Sequence, residues 1–289
     1  MFKKNLFFLS LALLLSGAMM FKAPSYVHSQ EPPTVSEVQT FDEAYSEYVK
    51  FSEEYNKARE DYILKRAQYL KFQSLKSRQD AFDATSKMLT ARDDVVISYL
   101  GILKAKINFG LGITDIRQES LLLSLNEEIA WFTDHQANIP SSGSLEDLVS
   151  DSNLAKSRWK NVEQLAYIMM SNLSLGKVLV FTDRTKETYD ATKSKLETIR
   201  LDEREDFSFS ADKFSVLDRW MLEAEGRIAR SGERVTRAEE LIDGLANKKK
   251  DFQREHNLVV SQLSESQIFL KETTSFIKEV IKQIKTAEE

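Results

Sequence analysis

The chain has 289 residues with no cysteine, nine glycines and four prolines, and it carries 45 acidic against 40 basic side chains for a net charge of −5. Without cysteine there is no disulfide scaffold, thiolate metal site, iron–sulfur ligation or cysteine nucleophile. A pI near 5.5 also leaves no surplus of Lys and Arg for phosphate contact, so no nucleic-acid partner is expected.

Lys3 and Lys4 precede an apolar run, Leu6 to Phe21, that is shorter than the roughly 20 residues a spanning helix needs. Val27-His28-Ser29 then places a small residue where signal peptidase prefers one. Residues 1–29 read as a secretory signal peptide, with Gln30 as the mature N-terminus. The rival reading is an uncleaved anchor that leaves the same domain outside but tethered. No cysteine follows for lipid attachment. The expected location is secreted, periplasmic or otherwise extracytoplasmic, with tethering through the N-terminal segment as the variant.

All four prolines are Pro24, Pro32, Pro33 and Pro140, so residues 34–139 and 141–289 are free to form long helices. Residues 30–36 read as a short leader and 37–289 as a single elongated helical domain. Ser36 or Thr40 can cap the first helix, about 37–108, with Asp42 and Glu43 at its positive end. Gly110 and Gly112 end that helix, and Thr114 or Asp115 starts the next, about 115–137. The run from Asn138 to Ser144 is a second break, where Ser144 and Asp147 resemble a capping box for a helix over 145–200. The run from Leu201 to Ser210 is a third, capped by Ser210 or Asp212. From about 211 to 288 no proline or loop-like cluster interrupts the pattern. No alternating β-branched run is bounded by a hairpin turn.

Heptads are the strongest signal. Positions Phe214, Met221, Ile228, Val235, Ile242, Lys249, His256, Leu263, Leu270, Ile277 and Ile284 form an a-type stripe broken only at Lys249 and His256. The matching d-type stripe, from Leu217 through Ala224, Ser231 and Ala238 to Val280 and Ala287, is smaller and more polar. It reads as a soft edge that self-association could finish. In the first helix Phe41, Tyr48, Tyr55, Tyr62 and Tyr69 recur every seventh residue. After Phe72 the register slips, and Leu75, Phe82, Leu89, Val96 and Leu103 carry the stripe onward.

Lengths of roughly 108, 118 and 117 Å for the three strands, at a 1.5 Å rise, predict an all-α fold. The expected form is an elongated antiparallel coiled-coil-like bundle of three long helical strands, the middle one interrupted near Pro140. If the chain reverses at Pro140, an uneven four-helix bundle results instead.

No Walker loop, GxGxxG, GxSxG, HExxH or EF-hand pattern is present. No catalytic, cofactor-binding or metal-binding residue is therefore assigned, and no cofactor is expected. The acidic pairs Glu53-Glu54, Asp93-Asp94 and Glu127-Glu128 diverge by about 100° on a helix and read as solvated faces. Phe207 and Phe209, set among acidic residues, are candidate contact residues, with folding back onto the bundle end as the alternative. His256, near Gly244, is a candidate pH-sensitive joint, since histidine titrates near 6.5.

The expected function is that of a non-enzymatic secreted or cell-envelope helical protein acting as spacer, scaffold or protein-binding surface. Its partners would be other proteins or a second copy, met through coiled-coil surfaces. The alternative is a membrane-active, pore-forming-like protein using the apolar segment 165–181. Membrane contact is expected only through that segment or an uncleaved N-terminus.

Overall fold

A computed structural model describes residues 39–201 and 209–286, which all lie in one compact unit, Gln39–Glu289. The stretches expected to be a signal segment and a leader, and Phe207, lie outside the described residues. Among the described residues the chain is an all-α helical bundle of six helices without a strand. These are α1 (Phe41–Phe72), α2 (Leu75–Asn108), α3 (Asp115–Asn138), α4 (Leu145–Leu201), α5 (Ala211–Leu245) and α6 (Phe252–Lys285).

Short polar side chains set most of the starts. Thr40 accepts from the Glu43 N–H while the Glu43 carboxylate accepts from the Thr40 N–H, a full capping box on α1. Ser74, Ser144 and Ser210 accept from the N–H groups of Ser77, Asp147 and Lys213 to open α2, α4 and α5.

Two helices expected to be continuous are hairpins. The stretch 37–108 folds back at Gln73, which is left-handed at φ 48°, and Ser74 caps the returning helix. The slip of register after Phe72 is therefore a turn. The stretch 211–288 folds back over 246–251, where Asp251 takes φ 62°. Leu245 and Phe252, the two buried residues that flank this turn, are one heptad apart, so the stripe crosses the turn unbroken.

At Pro140 the chain reverses, so the second of the two expected arrangements holds at that point and the three-strand rod does not. A 3₁₀ turn, Ile139–Ser141, links α3 to α4. Asp93 and Asp94 of α2 meet His135 and Gln136 of α3. On the other side Glu128 meets Arg158, and His135 meets Asp151 of α4. Thus α2 and α4 run parallel with α3 antiparallel between them, and α1 packs on α2.

The 57-residue α4, about 85 Å long, serves two bundles. Its first half packs against α2 and α3, and its second half against the α5–α6 hairpin. In the upper bundle Leu175 and Val178 of α4 meet Val235, Ile242, Val259 and Leu263. Further along, Tyr189 and Leu196 meet Leu217, Met221, Ile277 and Val280. The soft d-type edge is the innermost line of the α5–α6 hairpin. The Ser231 and Ser266 hydroxyls, both fully buried, bond each other at 2.8 Å, and Thr273 lies against Ala224. Small side chains let the helices approach closely, so this edge is finished within the chain rather than by a second copy.

Candidate functional site

Between α2, α3 and the start of α4 lies a polar cluster that sequence spacing does not reveal. The Asp93 carboxylate, completely buried, holds His135 Nδ1 at 2.5 Å through one oxygen and the Arg92 guanidinium at 3.2 Å through the other. The second ring nitrogen of His135 lies 3.0 Å from the Asp151 carbonyl oxygen. Both ring neighbours can accept, an arrangement that favours the charged imidazolium. The hydrogen bond to Asp93, reinforced by the Asp151 carbonyl and opposed by burial, raises its pKa above 6.5. Trp131 stacks on the ring at 5.0 Å and 14°.

Around this pair, Arg92 also donates to the Ser152 hydroxyl. Gln136 donates to Asp94 at 2.5 Å and to the Thr90 carbonyl, and burial raises the Asp94 pKa. The adjacent acids do diverge, each to a different partner, but Asp93 is not on a solvated face. Glu128 is buried as well, accepting from Arg158 at 2.8 Å. Glu53 and Glu54 are the exposed pair.

Chemically the cluster is closed. Both ring nitrogens of His135 are engaged, one by Asp93 and one by the Asp151 carbonyl, so the ring ties three helices together. Among the described residues no group of three His, Asp or Glu side chains is placed to hold a metal ion. A shallow groove on the outer face of α3, lined by Asp115, Gln118, Glu119 and Asn126 with Leu122 and Leu123, is open to solvent.

A second joint lies where the two bundles overlap on α4. Gly112, at φ 73°, brings the α2–α3 turn against Gly176 so tightly that a Cβ there would sit 2.1 Å from the Gly176 carbonyl oxygen. Glycine is required on both sides of this contact. Close by, the Gln164 side-chain amide donates to the carbonyls of Leu245, Ala246 and Lys248, fastening the α5–α6 turn, and Arg117 pairs with Asp243 at 2.6 Å.

His256 sits at this joint, at the start of α6. The Ser171 hydroxyl is 2.8 Å from its Nδ1, and the Tyr167 ring lies 5.6 Å away. Burial lowers its pKa. A histidine that binds protons less readily when folded contributes stability in full above its unfolded pKa of about 6.5 and loses it as pH falls below that value. His256→Leu is therefore expected to flatten the melting temperature between pH 7 and pH 5, where the wild type declines. A decline unchanged in the variant would sink the assignment of a pH-sensitive joint.

Phe209 is half-buried against the upper bundle. It meets Phe214 edge-on at 5.6 Å, and Lys213 lies 4.1 Å above its ring. It folds back onto the bundle end instead of standing free as a contact residue. The segment 165–181 is mostly buried at the overlap of the two bundles. It belongs to α4, the one described helix long and apolar enough to cross a membrane by length and composition, although 56% of its most apolar window is buried.

No protein-family model, curated protein or solved structure matches the chain.

Proposed function

We propose that the chain is a non-enzymatic, extracytoplasmic helical scaffold whose mechanism is geometric. The single observation that carries this reading is α4, one uninterrupted helix of 57 residues braced along its length by helices on both halves. The buried Asp93, His135 and Glu128 support it too, since each is consumed in joining helices. A spine of this kind holds whatever binds its two ends at a fixed spacing. The partners would be proteins that meet the outer faces of the bundles, because the d-type stripe is spent inside. Exposing segment 165–181 to a membrane would require opening both bundles at once, which makes the pore-forming alternative the costlier one.

The absence of cysteine allows a direct test. Spin labels at Ser150→Cys and Asp190→Cys, both on exposed positions of α4, should give one narrow distance distribution near 60 Å, from a 1.5 Å rise per residue. A broad or bimodal distribution would mean that the spine bends, and the spacer reading would be lost.

A further inference from the structure

The α1–α2 hairpin extends beyond the bundle it belongs to. Arg92 reaches Ser152, sixty residues on, and Tyr99 lies against Trp159, so α2 and α4 run side by side at a constant offset. The first residue of α4, Leu145, is therefore level with Thr85, about a third of the way along α2. Phe82 still packs on the core formed by Leu89, Ile139 and Leu148. The ten residues of α2 that precede that level stand about 15 Å past the start of α4, paired with the end of α1. Arg78 reaches back to Glu146 at 3.8 Å.

The composition of this tip is the reverse of the chain's. Over residues 63–84 five basic side chains, Lys65, Arg66, Lys71, Lys76 and Arg78, stand against two acids, Asp80 and Asp83, in a chain of net charge −5. Asp80 answers Lys76 at 2.7 Å and Lys65 at 4.0 Å. Lys71 lies 5.1 Å above the ring of Phe72. On the same tip Ile63, Leu64 and Leu70 are at least half exposed, Phe72 is 63% exposed and Leu75 is 85% exposed.

Large apolar side chains gathered at a protruding turn mark a surface that something covers. The net positive charge, with Arg66 and Lys71 outside the ion pairs to Asp80 and Glu146, selects what. Apolar side chains ringed by Lys and Arg suit the boundary between lipid headgroups and acyl chains, where burial and attraction to anionic headgroups act together. A protein partner would have to build its interface on the end of a two-helix hairpin, a poor match to the ~800 Å² per side of a standard interface. A fluid surface needs no such area.

We propose that residues 63–78 dock the chain on an anionic phospholipid surface. Phe72 and Leu75 enter the headgroup region and the basic side chains face the lipid phosphates. This contact is separate from the N-terminal segment and from 165–181. It stands independently of the scaffold reading, because the label distances along α4 test the spine and leave the tip untouched.

The test uses the full chain carrying an environment-sensitive dye at Gln73→Cys, at the turn itself, with Gln253→Cys on α6 as the control position. Vesicles of phosphatidylcholine with about one-third phosphatidylglycerol should shift the tip dye to the blue and leave the control dye unchanged. High salt should reverse the shift, since the Debye length falls to about 3 Å at 1 M. Arg66→Gln with Lys71→Gln should weaken binding roughly 30-fold, at about tenfold per 1.4 kcal/mol and about 1 kcal/mol per basic residue. Phe72→Ser with Leu75→Ser should abolish the dye shift, with the circular dichroism spectrum unchanged because both side chains are exposed. The proposal is overturned by a tip dye that never shifts, by an equal shift on pure phosphatidylcholine, or by unaltered binding of the variants. A shift produced only by a protein fraction freed of lipid would overturn it in favour of a protein partner.

Discussion

Replacing Asp93 with alanine is expected to destabilise the chain by about 3–5 kcal/mol, the usual cost of removing one partner of a buried ion pair. At roughly 2–4 °C per kcal/mol for a domain of this size, the melting temperature should fall by roughly 6–20 °C. The cost comes from what is left behind: the His135 ring without its carboxylate and the Arg92 guanidinium without its counter-charge, both turned towards an emptied, water-poor site. Asp93→Leu combined with His135→Leu removes the acid and the ring and leaves only Arg92, which still donates to the Ser152 hydroxyl, so it should recover part of the loss, because an apolar pair of similar volume is often nearly neutral. If the single variant melts within a degree of wild type, the cluster is not a structural tie.

The same cluster sets a pH dependence. The pKa of His135 is raised by folding, so its contribution is whole below about 6.5 and is lost as pH rises through the folded value above it. Stability should decline on the alkaline side in the wild type, and His135→Gln should remove that decline. His256 acts with the opposite sign, so the two histidines bound a stability maximum from either side. Thermal scans from pH 5 to 9 on both single variants separate them.

Gly176→Ala is expected to cost about 3 kcal/mol, at the upper end for overpacking, and to lower the melting temperature by roughly 6–12 °C. Its Cβ would sit 2.2 Å from the Leu111 carbonyl oxygen, a backbone atom that cannot rotate away. The α2–α3 turn must lift from α4, carrying with it the overlap between the bundles. Gly226→Ala is the control. That glycine also lies inside a helix, but a Cβ there meets nothing within 4 Å, so alanine should stabilise by a few tenths to 1 kcal/mol. Equal melting of the two variants would refute the close-packed joint.

Heptad spacing made the apolar stripes legible, and the Tyr55, Leu89, Met221 and Leu263 positions read from it are buried. Caps at Thr40, Ser144 and Ser210 were equally readable, because an N-cap is a local event. The two hairpin turns were not. Gln73-Ser74 contains neither glycine nor proline, and its one trace was the slip of register. The turn at 246–251 hid behind an intact heptad count, although Gly244 and the polar pair Lys249 and His256 marked the neighbourhood as soft. The Asp93–His135 tie joins residues 42 apart on antiparallel helices, and no spacing rule within one helix can reveal it. Nothing in the spacing around Gly176 points to the turn that packs against it, since that contact joins residues 64 apart.

Sharing α4 between two bundles also orders how the chain can fold. The first half of the spine finds its partners, α2 and α3, in chain already made, while the second half waits only for the hairpin that follows it. Each hairpin closes on itself across a turn of two to six residues, so most contacts join neighbours in sequence, the condition for rapid folding. A chain delivered N-terminus first can thus complete the lower bundle while the upper one is still unmade. The exposed apolar face of α4 then stays uncovered only for as long as the last 80 or so residues take to arrive, about 4–16 s at 5–20 residues per second.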